Sequence, residues 1–118
     1  PSEPLYDVDF YQDIHRALKP DGLVTFQVGS LLNRELLKQT TARLGRVFHN
    51  VTLLRYSVSS FNCGECCFMI AGTSEHDGKP SLDTLQRRRA NRLSKSDLRY
   101  YTPEVHLGSQ IIPSYLDL

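Results

Sequence analysis

The stretch SVSSFNCGECCFMIAGTSE, residues 57–75, holds all the sulfur nucleophiles of this 118-residue chain: Cys63, Cys66 and Cys67, the first two spaced C-x-x-C. Thiolates at that spacing bind zinc or exchange disulfides. A closed zinc site takes four ligands and C-x-x-C supplies two. His49 and His76 do not stand at a finger-like spacing from it. A redox C-x-x-C belongs at a helix N-terminus, where the thiolate is stabilised, whereas the residues after Cys66 read as a strand. The cysteines are therefore expected to act as small apolar residues of a strand and loop, with no metal and no cofactor.

Other side chains could also do chemistry. Arg87, Arg88, Arg89 and Arg92 form a basic cluster on one predicted helix. Without interleaved aromatics, and with acidic residues elsewhere, it reads as a solvated face and not as a nucleic-acid platform. The formal net charge of +1 gives no electrostatic reason to expect nucleic acid. His106 has the chemistry of a general base. Tyr100 and Tyr101 read as half-buried anchors. Gln27 and Glu3 carry no assignment from residue type alone. No apolar run approaches the ~20 residues of a membrane span. The opening Pro-Ser-Glu-Pro is not a secretory leader. With an odd number of cysteines, this leads to an expectation of reduced thiols in a cytoplasmic protein.

These residues need elements to position them. Over residues 7–19, Phe10, Ile14, Ala17 and Leu18 recur at helical spacing, and Pro20-Asp21-Gly22 ends the run. GLVTFQVG (22–29) reads as a short buried strand. Residues 33–48 read as a second helix with Asn33 as N-cap and Leu36, Leu37 and Leu44 inward. NVTLLRYSV (50–58) and CCFMIAGT (66–73) read as strands, residues 81–93 as a helix, and residues 99–118 as an irregular tail. The division expected is 1–75 as an α/β core and 76–118 as helix and tail. Helix, strand, helix, strand, strand is an α/β order. Three strands are few for such a sheet, and no G-x-G-x-x-G occurs. The chain therefore reads as the C-terminal half of a doubly wound, Rossmann-like sheet.

Taken in order, DFYQDIHRALKPDGLVTFQ, VSSFNCGECCFMIAGT and LRYYTPEVHLGSQIIP resemble the second half of the spermidine synthase family. The resemblance covers nearly the whole chain, through the order of its parts more than through any single motif. It implies a methyltransferase-type Rossmann domain, commonly dimeric, behind a small β-stranded N-terminal domain. It implies aminopropyl transfer from decarboxylated S-adenosylmethionine to putrescine or a related amine, giving spermidine and methylthioadenosine. The family's catalytic base is the first Asp of D-x-x-[DE]-P, and Pro1-Ser2-Glu3-Pro4 fits the last four positions. The base is thus expected immediately before Pro1, and no catalytic residue lies within the chain.

The resemblance further assigns amine binding to Glu3, to Gln27 at the end of its strand, and to Phe61 and Asn62. Phe61 falls where the family carries Tyr or Phe, and Asn62 where many members carry Pro. His106 matches a tail histidine, which favours a packing or dimer-contact role. One departure is that Pro4 runs directly into Leu5-Tyr6, where the family has a Gly-Pro-rich gating loop. The partners implied are the amine and decarboxylated S-adenosylmethionine, together with a second copy of the chain or a complementary N-terminal half. The 118 residues alone, without base or donor site, are expected to be inactive. The alternative is a noncatalytic homologue that keeps the fold for dimerisation or partner binding.

Overall fold

Two helices lie on one face of a three-stranded sheet, and each begins at a polar cap. The computed structural model describes residues 3–58, 60, 65–74, 79–92 and 98–118, the side chains of residues 3 and 4 excepted. A 3-10 turn, Glu3–Tyr6, leads into helix α1, Val8–Ala17, where Asp7 accepts a hydrogen bond from the Val8 amide at 2.9 Å. Strand β1, Leu23–Ser30, is followed by α2, Arg34–Gly45. The Asn33 carboxamide accepts from the Leu36 amide at 3.2 Å, satisfying one of the donors that a helix start leaves unpaired. Strands β2, Asn50–Ser57, and β3, Glu65–Gly72, follow, and then helix α3, Leu82–Arg92.

The sheet order is β1-β3-β2, with β3 antiparallel to both neighbours, so β1 and β2 run in the same direction. Phe26, Met69 and Leu53 stand in one cross-strand row, and Val24, Ala71 and Val51 in the next. This face packs against Tyr11 of α1 and Leu37 and Leu44 of α2 to form the core, which also takes in Val28, Phe48 and Cys67. Tyr11 meets Phe26 edge-on, with ring centroids 5.1 Å apart.

Four sequence expectations are corrected. Tyr100 is exposed and not half-buried. On α1 the fully buried residue is Tyr11, while Ala17 is exposed; the helix is rotated so that its largest amphipathic ring fills the space over Phe26. Strand β1 is not buried on both faces, because it lies at the sheet edge and alternates, leaving Leu23, Thr25 and Gln27 exposed. The stretch read as an irregular tail contains helix α4, Pro103–Ser109, and a 3-10 turn, Ser114–Leu116. Thr102 Oγ1 accepts from the Val105 amide at 3.0 Å, and Pro103 occupies a first-turn position where its missing N–H costs nothing. Leu116, wholly buried, returns into the core.

The β1–β3 register shifts between Gln27 and Gly29, where Gly29 adopts φ +89°. A side chain there would touch only Leu36, at an ordinary 3.6 Å, so the demand for glycine is conformational. Gly29→Ala is expected to cost about 1–2 kcal/mol through the left-handed backbone alone, read as a shift of the urea midpoint at constant slope.

Candidate functional site

Open α/β sheets bind ligands beyond the carboxyl ends of their parallel strands. Here β1 and β2 share a direction, so their carboxyl ends, at Gln27–Ser30 and Tyr56–Ser57, lie at one end of the sheet. The connection from β2 to β3, which carries Phe61 and Asn62, leaves from that end. Helix α1 runs back against β1 after the tight Leu18–Gly22 turn, closed by a Gly22 amide to Lys19 carbonyl bond of 2.8 Å. With Tyr11 over Phe26, the residues before Tyr11 continue toward the carboxyl end of β1. The topology thus brings the Glu3–Tyr6 turn, the Gln27 end of β1 and the β2–β3 connection to one end of the molecule.

Of the residues assigned to amine binding, Gln27 is exposed on β1, directly across from Phe68. Glu3 lies in the 3-10 turn, and nothing is described of its side chain. Phe61, Asn62 and Cys63 lie outside the described residues. The turn before α1 is tied down by Arg43, whose Nη1 donates to the Tyr6 carbonyl at 3.0 Å. Beside Gln27 the structure adds a pair that residue patterns do not single out. Phe68 packs against Tyr56 of β2, with ring centroids 5.0 Å apart. Tyr56 and Phe68 sit on neighbouring strands, and only the register brings them together. The site end of the sheet therefore presents a carboxamide next to an aromatic wall, able to hold an ammonium group by hydrogen bonding and a short methylene chain by apolar contact.

Several of the other candidates make structural contacts. Cys66 and Cys67 are both buried, on opposite faces of β3, and Cys67 belongs to the core. Among the described residues neither is disulfide-bonded and no group of three His, Cys, Asp or Glu side chains converges. Arg55 of β2 pairs with Glu65 of β3 at 3.1 Å and donates through Nη2 to the Gly108 carbonyl at 3.3 Å, pinning α4 to the sheet. His106 Nδ1 and the Tyr101 hydroxyl share a 3.0 Å hydrogen bond. That contact makes His106 part of the packing of the α4 region.

Burial lowers the His106 pKa below its ordinary value. The folded state thus favours neutral imidazole, and the unfolded chain takes up a proton first. Stability from this group is present above about pH 6.5 and is lost as pH falls through the lower folded value. His106→Leu is expected to flatten that acid limb, seen by comparing urea midpoints of the two proteins at successive pH values down to the onset of acid unfolding.

No helix among the described residues is long and apolar enough to cross a membrane. The chain is similar over almost its full length to polyamine aminopropyltransferases and to a putrescine N-methyltransferase. Polyamine aminopropyltransferase of Pseudomonas syringae pv. tomato is 32% identical over 117 residues, a match covering 98% of this chain and 40% of that protein. Putrescine N-methyltransferase 2 of Nicotiana tabacum is 28% identical over 120 residues, covering 98% of this chain and 34% of that protein. The crystal structure of spermidine synthase from Thermotoga maritima superposes with a TM-score of 0.81 at 21% identity, over 99% of this chain and 39% of that one. A spermidine synthase in complex with the transition-state analogue AdoDATO gives 0.80 at 22%, over 98% and 39%. These structures share the Rossmann-like methyltransferase fold, and this chain spans about 40% of the length of the curated aminopropyltransferases it matches. The spermine/spermidine synthase domain model matches residues 1–80, and the chain belongs to that family.

Proposed function

We propose that this chain is the C-terminal part of the catalytic domain of a polyamine-biosynthetic aminopropyltransferase. It would act with a preceding half that supplies the base and the donor site. The supporting observation is the family match over residues 1–80, together with 32% identity to an aminopropyltransferase along nearly the whole chain.

The acceptor, putrescine or a related amine, is an ammonium ion in water and must lose a proton before it can attack. An Asp immediately before Pro1 takes that proton. The amine nitrogen then forms a bond to the aminopropyl carbon next to the sulfonium of decarboxylated S-adenosylmethionine. The carbon–sulfur bond breaks with its electron pair going to sulfur, which leaves as neutral methylthioadenosine. Glu3 and the Gln27 carboxamide oxygen hold the far ammonium group, and Phe61, Asn62 and the Tyr56–Phe68 pair border the methylene chain. Fixing the nucleophile in line with its target is the main service such a pocket supplies.

The protein works in the cytoplasm, as an oligomer or joined to its complementary half. The exposed edge of β1, with Leu23 62% accessible, is the kind of surface that such association covers. The relation to a putrescine N-methyltransferase supports a second reading, methyl transfer to the same amine. The assay that separates them incubates a polypeptide containing both halves with putrescine and either decarboxylated or ordinary S-adenosylmethionine. Spermidine and methylthioadenosine from the first donor are expected. N-methylputrescine from the second would replace the proposal with the methyltransferase reading, and no product from either would leave a noncatalytic homologue. The 118 residues alone are expected to bind no methylthioadenosine by calorimetry; micromolar binding would refute the placement of the donor site.

A further inference from the structure

Helix α3 and the segment leading into α4 enclose a groove of about 340 Å³ lined by Leu85, Arg88, Arg89, Arg92 and Tyr101. Positions 85, 88, 89 and 92 follow an i, i+3, i+4, i+7 spacing, so one stripe of α3 faces the groove. Arg87, on a different side of the helix, is paired with Asp83 at 3.4 Å. The groove arginines are not neutralised in the same way. Arg88 and Arg92 are exposed, and among the described residues neither makes an ion pair. Arg89 is half-buried near Glu104, and its Nε is sealed from solvent without a hydrogen-bond partner.

Three guanidinium groups around one groove are a local excess in a chain whose net charge is only +1. Like charges held this close repel each other, and an anion between them relieves that cost. Guanidinium forks match phosphate oxygens with paired hydrogen bonds. Arg88 and Arg92 stand one helical turn apart, a spacing at which two side chains can reach one phosphoryl group. Beside them the Tyr101 ring offers a flat apolar surface, held in orientation by its hydroxyl bond to His106. The volume falls at the small end of ligand pockets. It is too short a platform, with one ring and one turn of arginines, for a nucleic-acid strand.

We infer that this groove binds a small aromatic phosphate ester of the mononucleotide kind, its ring against Tyr101 and Leu85 and its phosphate on Arg88 and Arg92. The inference is independent of the proposed transfer reaction.

Uridine monophosphate is the probe, since uracil keeps the test apart from recognition of adenosine, and inorganic phosphate and uridine are the controls. Titration of the chain at low salt, followed by amide chemical shifts, should give saturable binding with shifts in α3 and around Tyr101. The mononucleotide should bind about tenfold or more tightly than either control, because both halves of the site contribute. R88Q/R92Q should weaken it about tenfold or more. Both side chains are exposed, so the variant should keep the parent's circular dichroism. R88K/R92K, which keeps charge but loses the fork, should fall between the two. Tyr101→Phe should retain binding and Tyr101→Ala should weaken it. Absence of saturation, shifts confined to other elements, or equal affinity in R88Q/R92Q would overturn the inference. Inorganic phosphate binding as tightly as the nucleotide would overturn the aromatic half of it.

Discussion

Replacing Met69 with alanine is expected to destabilise the chain by about 2–5 kcal/mol. Met69 is fully buried in the central strand, with Phe26 of β1 and Leu53 of β2 directly across from it. Its sulfur lies 3.9 Å from the Thr41 hydroxyl of α2, so the side chain fills the layer between sheet and helices. Truncation removes transfer free energy and leaves a cavity that three strands and a helix cannot collapse into without losing register. Small domains have only about 5–15 kcal/mol in total, so a large share is at stake. Met69→Leu, which conserves volume, should cost under about 1.5 kcal/mol. Urea denaturation of the two variants decides the matter: equal midpoints for alanine and leucine would mean that the site is not tightly packed.

Much of this arrangement is legible before any coordinates. The Asn33 cap, the Pro20-Asp21-Gly22 stop and the apolar spacing of residues 7–19 and of Leu37 and Leu44 define α1 and α2 to within a few residues. Local pattern cannot supply the pairing. That the last strand lies between the other two is a long-range choice, and it is what places Phe68 beside Gln27 and Tyr56. The shift at Gly29 is likewise invisible, since a glycine in a strand signals either a bulge or mere weakness. Helix α4 is obscured because seven residues including Gly108 leave little periodicity, although Thr102-Pro103 is a start signal that could have found it.

The candidate site divides along the same line. Residue type alone gives Gln27 and Glu3 nothing, because a carboxamide at a strand end and a carboxylate near a chain end are ordinary. Only the family's order of parts assigns them a task. The topology then adds what that order cannot, a single end of the sheet at which the Glu3 turn, Gln27 and the β2–β3 connection come together. The cysteine cluster shows the reverse case. Cys66 and Cys67 are strand residues on two faces of β3, where alternation keeps them from acting jointly on one ligand, while Cys63 lies outside the described residues.

In an active polypeptide containing this chain, Gln27→Leu is expected to lower kcat/KM for the amine by about 10–100-fold, or roughly 1.4–2.7 kcal/mol of transition-state binding. Leucine has nearly the same volume but cannot accept a hydrogen bond, so the far ammonium of the diamine would lose one of its two proposed partners and keep Glu3 alone. The side chain is exposed on an edge strand, so stability should change by less than about 0.5 kcal/mol, separating loss of binding from loss of fold. The donor KM should not move, because Gln27 is assigned to the acceptor alone. Gln27→Glu gives a complementary reading. A carboxylate would bind the diamine more tightly in the ground state and also favour the charged form of the nucleophile, so KM for the amine should fall while kcat falls with it. Steady-state kinetics with both substrates varied would distinguish these outcomes. If Gln27→Leu stays within twofold of the parent protein, Gln27 is an ordinary strand-end residue, and recognition of the amine must rest on Glu3 and the residues following β2.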